Sequence, residues 1–249
     1  TFFMSISDYI NKYKGIHESL LTYLEEPEDA EAHFQDLLKK IDHEDIKSSK
    51  SELKIFFNIL SSICSNHYRE VDFLKRIEQI IHEMQNDLKN NFSSSEIFDL
   101  FKDNRRIILF LIEEQMIIQN DSFMNQIINE NKQSPFYFDY FYREMMDDPP
   151  EDFKEKQKIG ENDSYICSLI RKDSVEEFII YITKNSLSVS STVQPSIFET
   201  NSFLVCQNPS LIEYAAFYGS IEIFQYLQMN NADLSPFLWY YSIHGKKAE

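Results

Sequence analysis

Glycine is scarce in this sequence, with only 4 among 249 residues. Folds with many tight turns need glycine wherever the backbone takes a positive φ, so a turn-rich β fold is disfavoured. Phenylalanine and tyrosine are plentiful instead, at 21 and 14 residues, and apolar residues recur at helical spacing along most of the chain. The composition therefore predicts an all-α fold with a sizeable core.

Basic residues are few compared with acidic ones, at 24 against 41, which gives a formal net charge of -17. Such a field repels phosphate backbones and anionic bilayer surfaces. The charge therefore argues against nucleic acid and against a membrane as partners. The acidity either serves solubility or favours a basic partner protein.

The cysteines are too few and too scattered for a disulfide framework. Cys64, Cys167 and Cys206 are odd in number and far apart, as expected for reduced thiols. The sequence has no secretory signal and no apolar run of about 18 residues. We therefore predict a cytoplasmic protein, and we take Met4 as its natural start.

Recognisable catalytic and metal-binding motifs are also missing. The four glycines stand far apart, which excludes a glycine-rich phosphate loop. Cys64 and His67 have a metal-ligand spacing, but zinc needs three or four ligands and no second Cys/His pair lies nearby. We predict no catalytic residue, no metal and no cofactor. An enzyme with an unrecognised site is the rival hypothesis, and it requires a pocket where several polar groups converge.

The chain is predicted to have two parts. Residues 4–150 form an N-terminal helical domain, either a bundle or an irregular solenoid. Residues 151–162 are polar, follow a Pro-Pro break at Pro149, and are predicted to be a linker. Residues 163–249 form helix-turn-helix repeats.

Several helix signals stand out in the N-terminal part. Ser49 with Glu52, and Ser93 with Glu96, have the spacing of a capping box, which marks the start of a helix. The apolar residues from Phe73 to about Lys89 follow one helical period, which predicts a single long helix.

A regular order of small and apolar residues follows Ser210. Ala215 and Ala216 keep a helix contact thin enough for close packing. Gly219 stops the first helix, because glycine takes the left-handed conformation without strain. Ser220 is then placed to cap a second helix.

This order resembles an ankyrin repeat, whose pattern runs Ala-Ala-x-x-Gly-x-x-Glu-Ile-Val-x-x-Leu-Leu-x-x-Gly-Ala-Asp. Leu211-Ile212-Glu213 departs from the usual Pro-Leu-His, and Asn231 replaces a glycine, although asparagine tolerates the same backbone region. The chain as a whole is similar to a family of protist ankyrin-repeat proteins that carry an N-terminal helical domain of unknown function. Besides Ser210 to Gly219 and the N-terminal region, the segments that carry this likeness are Asp173–Phe178, Ser196–Asn201 and Leu238–Tyr240. The resemblance implies a fold and an interaction role, and no chemistry.

The same plan recurs elsewhere in the chain. A shift of 46 places Val175 on Ile221 (221 minus 175), and a shift of 116 places Leu111 on Leu227 (227 minus 111). The ordinary ankyrin period is about 33 residues. The excess predicts a long inserted loop over residues 186–209, which we call the insert.

Past Ser235 the pattern predicts the first helix of a further repeat, ending near His244. A repeat cannot bury its apolar face alone, so the array is expected to continue beyond Glu249.

The resemblance also implies a set of binding residues. In ankyrin repeats the two residues between the alanine pair and the glycine face a concave groove, and the corresponding positions predict protein binding by Arg171, Lys172, Phe217, Tyr218 and His244. The competing possibility is that Phe217 and Tyr218 are covered by the insert or by the N-terminal region. We predict a non-catalytic module that binds another protein. The alternative is that the N-terminal region mainly caps a longer repeat array.

Overall fold

The computed structural model describes residues 5–66, 72–142 and 152–244. Over these ranges the chain forms sixteen α-helices and a short 3₁₀ helix at Ile46–Ser48, without a β-strand. A bridge of the β type pairs Thr192 with Ser210. The predicted all-α fold is confirmed. None of the helices described is both long and apolar enough to span a bilayer.

The chain divides into two compact units, Thr1–Gln126 and Ile127–Glu249. The first unit contains α1 (Ile6–Glu25), α2 (Ala30–His43), α3 (Lys50–Asn66), α4 (Phe73–Glu83), α5 (Gln85–Asn91), α6 (Ser94–Phe101) and α7 (Arg105–Glu113). Helix α8 (Asp121–Asn131) spans the division. The second unit continues with α9 (Tyr137–Tyr142), α10 (Phe153–Ile159), α11 (Tyr165–Arg171), α12 (Val175–Lys184), α13 (Ser202–Gln207), α14 (Leu211–Tyr218), α15 (Ile221–Met229) and α16 (Leu238–His244).

The predicted linker at 151–162 lies within the second unit. Helix α10 occupies much of it, from Phe153 to Ile159, and Phe153 is buried. Pro149 falls outside the described residues. The structure therefore gives this polar segment a helix with an apolar anchor, where the sequence suggested a connection between domains.

Two helix predictions for the first unit need detail. The capping box of Ser93 with Glu96 is present. The backbone N–H of Glu52 donates to Ser49 Oγ at 3.3 Å, whereas the Glu52 carboxylate accepts hydrogen bonds from Lys12 and Tyr13 of α1. That carboxylate joins α3 to α1, a role the local spacing did not predict.

The apolar stretch predicted as one long helix is interrupted at Met84. There the backbone turns to φ -96° and ψ 14°, which ends α4 and begins α5. Met84 and Leu88 are both fully buried. The single-helix prediction was wrong because spacing along the sequence does not register a short break that keeps the same side chains in the core.

The second unit contains two stacked helix hairpins. Helices α11 and α12 form the first, α14 and α15 form the second, and α11 packs on α14 while α12 packs on α15. Ala215 is fully buried and Ala216 nearly so. Their small side chains bring α14 close to its neighbours, as the sequence predicted.

Both hairpins turn in the same way. Gly219 has φ 64° and Asp173, at the equivalent position 46 residues earlier, has φ 51°. In each turn the next N–H donates back five residues, from Ser220 to the Ala215 carbonyl at 2.9 Å and from Ser174 to the Leu169 carbonyl at 3.0 Å. The predicted left-handed turn at Gly219 is confirmed, and Asp173 shows that aspartate can replace glycine there.

The second helices of the hairpins also end alike. After α12, Ser186 has φ 52° and Leu187 donates its N–H to the Ile182 carbonyl at 2.9 Å. Asn231 has φ 59°, and the next residue, Ala232, donates its N–H to the Leu227 carbonyl at 3.0 Å. The predicted tolerance of asparagine at this position is confirmed. In the first unit, 116 residues earlier, Gln115 has φ 55° and Met116 donates to the Leu111 carbonyl at 2.8 Å. The hairpin of α6 and α7 therefore shares this helix ending.

An interlock of Asp173 and Ser220 joins the two stacked hairpins. The Asp173 carboxylate accepts from the backbone N–H groups of Glu222 at 3.1 Å and Ile223 at 3.0 Å. It thereby caps α15 from the neighbouring hairpin. Ser220, the predicted cap, makes no such bond, since its hydroxyl donates to the Ile170 carbonyl at 2.5 Å. The capping prediction for Ser220 was wrong, because the stacked hairpin supplies a charged acceptor in its place.

Removing this charged cap should destabilise the stack. We expect Asp173→Gly to lower the free energy of unfolding by about 1–2 kcal/mol, because two N–H groups lose their acceptor while glycine still accepts the left-handed backbone. Asp173→Ala should cost about 1 kcal/mol more, since alanine is strained at that φ. Urea unfolding followed by circular dichroism measures both losses.

Ser186→Gly is the matched control for this pair. Ser186 also has a left-handed backbone, at φ 52°, and lies outside the interlock. We expect a change of less than about 0.5 kcal/mol there. An Asp173→Gly protein as stable as the wild type would show that the carboxylate does not hold the hairpins together.

Candidate protein-binding surface

Four of the five predicted binding residues come together on α11, α14 and α16. The Arg171 guanidinium lies 6.0 Å from the ring centroid of Tyr218, and the Tyr218 ring lies 5.1 Å from that of Phe217. The Phe217 ring is in turn 4.8 Å from that of His244. Lys172, the fifth, has an exposed side chain at the end of α11.

Phe217 lies in the core of the second unit. Only 1% of it is exposed, and the ring of Phe203 stacks on it at 6.1 Å with an interplanar angle of 17°. Phe203 belongs to α13, within the insert, and also contacts Tyr241 and His244. Of the two possibilities left open by the sequence, coverage by the insert is the one seen for Phe217, so its ring offers no accessible surface here.

Arg171 is engaged within its own unit. Its Nε lies 2.7 Å from the Glu161 carboxylate, and its Nη1 donates to the Tyr214 hydroxyl at 2.9 Å. Burial raises the pKa of Glu161, while the Arg171 charge acts in the opposite direction. This guanidinium therefore forms an internal tie, that is, it joins α11 to Glu161 and Tyr214 of the same unit and has few donors free to bind a partner.

A small cavity lies beside this polar cluster. Glu199, Asn162 and Tyr214 are among the residues that line it, and its volume is about 20 Å³. That volume accommodates about one water molecule. Among the residues described, no three His, Cys, Asp or Glu side chains are grouped as metal ligands would be.

Helix α16 presents apolar side chains on two sides. Tyr241 is buried and Leu238 packs against the core that contains α14. On the other side Trp239 is 54% exposed and Ile243 is 65% exposed. These two residues are four positions apart and therefore lie side by side on the helix surface.

Two further aromatic residues extend this exposed side. Tyr240 lies 3.8 Å from Trp239 and 6.5 Å from Phe237, measured between ring centroids, and both Tyr240 and Phe237 are exposed. We call Phe237, Trp239, Tyr240 and Ile243 the α16 face. It is a connected apolar surface, of the kind that marks interaction sites in proteins.

Comparison with family models, with curated proteins and with solved structures found no match. The function must therefore be argued from the surfaces of the molecule.

The α16 face was not predicted as a binding surface, although the sequence contains a signal for it. Between Phe237 and Ile243 the only residue that is not large and apolar or aromatic is Ser242. A helix that is apolar all round needs cover on every side. The sequence prediction was that further repeats cover these residues.

Proposed function

We propose that this chain is a non-catalytic protein-binding module, built as an ankyrin-type stack of helix hairpins, with a partner protein docked on the α16 face. The observation that carries the proposal is that, within the part of the chain that the structure describes, Trp239, Tyr240 and Ile243 are exposed on a helix whose opposite side is buried. Covering such side chains is favourable by about 25 cal/mol per Å² of apolar area. Tryptophan and tyrosine are also the side chains that most often dominate binding energy.

The chemistry of the face favours an uncharged, apolar partner surface. From residue 229 to residue 244 the chain has one acidic residue, Asp233, and no lysine or arginine. Elsewhere the chain is strongly acidic, so a basic protein would be drawn to other parts of its surface. We therefore expect the partner to place an amphipathic helix across the α16 face, since helical side chains at i and i+4 match the spacing of Trp239 and Ile243.

Rigid helices also reduce the entropic cost of association. The side chains of the α16 face are presented by a helix packed against α14, so little backbone ordering is required on binding. The repeated hairpin turns at Asp173 and Gly219 support an ankyrin-type arrangement, in which recognition by side chains on stacked helices is the usual role.

Truncation of side chains on the α16 face should weaken partner binding without unfolding the protein. A partner captured from the source cells and identified by mass spectrometry is purified, and its affinity is measured by calorimetry. We expect Trp239→Ala to weaken that affinity by at least about tenfold, as for a central aromatic anchor. Ile243→Ser should weaken it as well.

Ile180→Ser is the matched control, because Ile180 is also 65% exposed but lies on α12. It should bind like the wild type, and circular dichroism should show all variants folded. Equal affinity of the wild type and Trp239→Ala would contradict the proposal. Sedimentation that shows a dimer lost in Ile243→Ser would instead identify a second copy of this chain as the occupant.

A further inference from the structure

The insert is fastened to the segment that precedes α11. Thr200 donates both its N–H, at 3.0 Å, and its hydroxyl, at 2.7 Å, to the Gly160 carbonyl. Asn162 Nδ2 donates to the Gln194 carbonyl at 2.8 Å. The middle of the insert is therefore attached by polar contacts, and those of Thr200 with Gly160 are buried.

Glu199 lies at the centre of this attachment. It is 3% exposed, and its two carboxyl oxygens bind both sides of the junction. Oε1 accepts from the N–H of Asn201 at 3.0 Å within the insert, and Oε2 accepts from the N–H of Asn162 at 3.3 Å across it. One buried carboxyl group thus joins the insert to the body of the unit.

The ionisable groups that face Glu199 come from three elements. Glu161 lies on the same segment as Asn162, Arg171 and Cys167 lie on α11, and Tyr214 and Tyr218 lie on α14. Arg171 is in contact with Glu161 and Tyr214. The cluster therefore contains two carboxyl groups and one guanidinium group.

Glu199 is the group of this cluster placed to change charge near neutral pH. Burial raises the pKa of Glu199 to about 7, with Glu161 adding to the rise and Arg171 and the backbone N–H groups opposing it. Burial raises the pKa of the Cys167 thiol to about 11. It also raises the pKa values of Tyr214 and Tyr218 well above their ordinary range, so these three groups stay neutral.

The insert also carries the side chain that covers Phe217. Helix α13 follows Glu199 directly, and its Phe203 contacts Phe217, Tyr241 and His244. Detachment of the insert at Glu199 would therefore remove Phe203 from those rings. Phe217, one of the predicted groove residues, would then gain accessible surface.

We propose that the insert is a pH-dependent lid, which stays closed over Phe217 while Glu199 holds a proton and opens more often once Glu199 is ionised. In the open form the Glu199 carboxyl group is solvated, and its pKa has the ordinary value for glutamate, 4.5. The closed form is therefore fully favoured below about pH 4.5, and its advantage is lost as the pH rises through about 7. This inference does not depend on the α16 face.

Hydrogen exchange measures the lid directly in the full chain. Exchange of the peptides that cover residues 190–205 is followed by mass spectrometry from pH 5 to pH 8, corrected for the intrinsic rate. The difference between the pKa of Glu199 in the open form and its pKa in the closed form predicts a rise of about 10- to 100-fold in the opening constant over this range. In Glu199→Gln, which cannot ionise, the constant should be nearly independent of pH.

Glu213→Gln is the matched control, because Glu213 is also a buried glutamate of this unit and caps α14 instead of facing the cluster. It should keep the wild-type pH dependence. A flat profile in the wild type, or a profile that persists in Glu199→Gln, would overturn the proposal, since His244 and the remaining groups are unchanged in that variant.

Should Glu199→Gln fail to fold, Glu161→Gln decides the matter. Loss of the neighbouring negative charge should move the midpoint of opening to lower pH for Glu199. An unmoved midpoint would refute the assignment of the lid to this cluster.

Discussion

Replacement of Phe217 by alanine is expected to lower the free energy of unfolding of the unit Ile127–Glu249 by about 3–5 kcal/mol. The ring is 1% exposed and is in contact with Phe203, Tyr218 and His244. Its removal loses the transfer free energy of a buried aromatic side chain and leaves a cavity among these rings. Urea unfolding followed by circular dichroism, and by the fluorescence of the chain's only tryptophan, Trp239, measures the loss.

Phe237→Ala makes the same chemical change at an exposed position and is therefore the matched control. Phe237 is 64% exposed, so its loss should change the free energy of unfolding by no more than about 0.5 kcal/mol. A cost below about 1 kcal/mol for Phe217→Ala would show that the insert does not hold this ring in the core. The two variants also separate two effects, since Phe217→Ala is expected to lower stability, whereas Phe237→Ala changes the proposed binding face with little effect on stability.

The backbone plan of the hairpins could be predicted where the residue type is restrictive. Gly219 and Asn231 favour a left-handed conformation, and both adopt it, at φ 64° and φ 59°. Asp173 and Ser186 adopt it as well, but aspartate and serine occur in many other conformations. The sequence therefore predicts the left-handed turn at Gly219 but does not predict the equivalent left-handed turn at Asp173.

Contacts between distant segments could not be predicted from spacing. The cap of α15 comes from Asp173, which precedes Glu222 by 49 residues, and the cover on Phe217 comes from Phe203 in an insert without repeat pattern. Local rules placed the cap at Ser220 and did not decide whether Phe217 faces a groove or is covered by the insert or by the N-terminal region. Both outcomes depend on how hairpins and insert pack, which helical periodicity does not encode.

The polar cluster of the second unit could not be predicted from the sequence for the same reason. Glu161, Arg171 and Glu199 lie on a loop, a helix end and the insert, and no motif links them in the sequence. Only Arg171 was singled out, by its position in the resemblance to an ankyrin repeat. Arg171 does lie beside Tyr218, as a contact residue of the predicted groove would. Its guanidinium, however, forms an ion pair with Glu161.

The second large effect is expected at Arg171. Replacement by methionine should lower the free energy of unfolding of the unit Ile127–Glu249 by about 2–4 kcal/mol. Its side chain is 15% exposed and that of Glu161 29% exposed, so water compensates only part of the lost ion pair. The substitution also removes the donor that binds the Tyr214 hydroxyl at 2.9 Å, leaving a buried oxygen and a shielded carboxylate together.

Addition of Glu161→Gln to Arg171→Met should restore about half of the loss, because the unpaired charge is then gone and the amide is cheaper to bury. The double-mutant cycle should give a coupling energy of about 1–3 kcal/mol. Lys172→Met is the control, since it removes a positive charge from the exposed neighbouring position and should change stability by no more than about 0.5 kcal/mol. A coupling energy near zero would mean that Arg171 and Glu161 do not act as a pair, and the internal tie between α11 and the segment before it would have to be sought in other contacts.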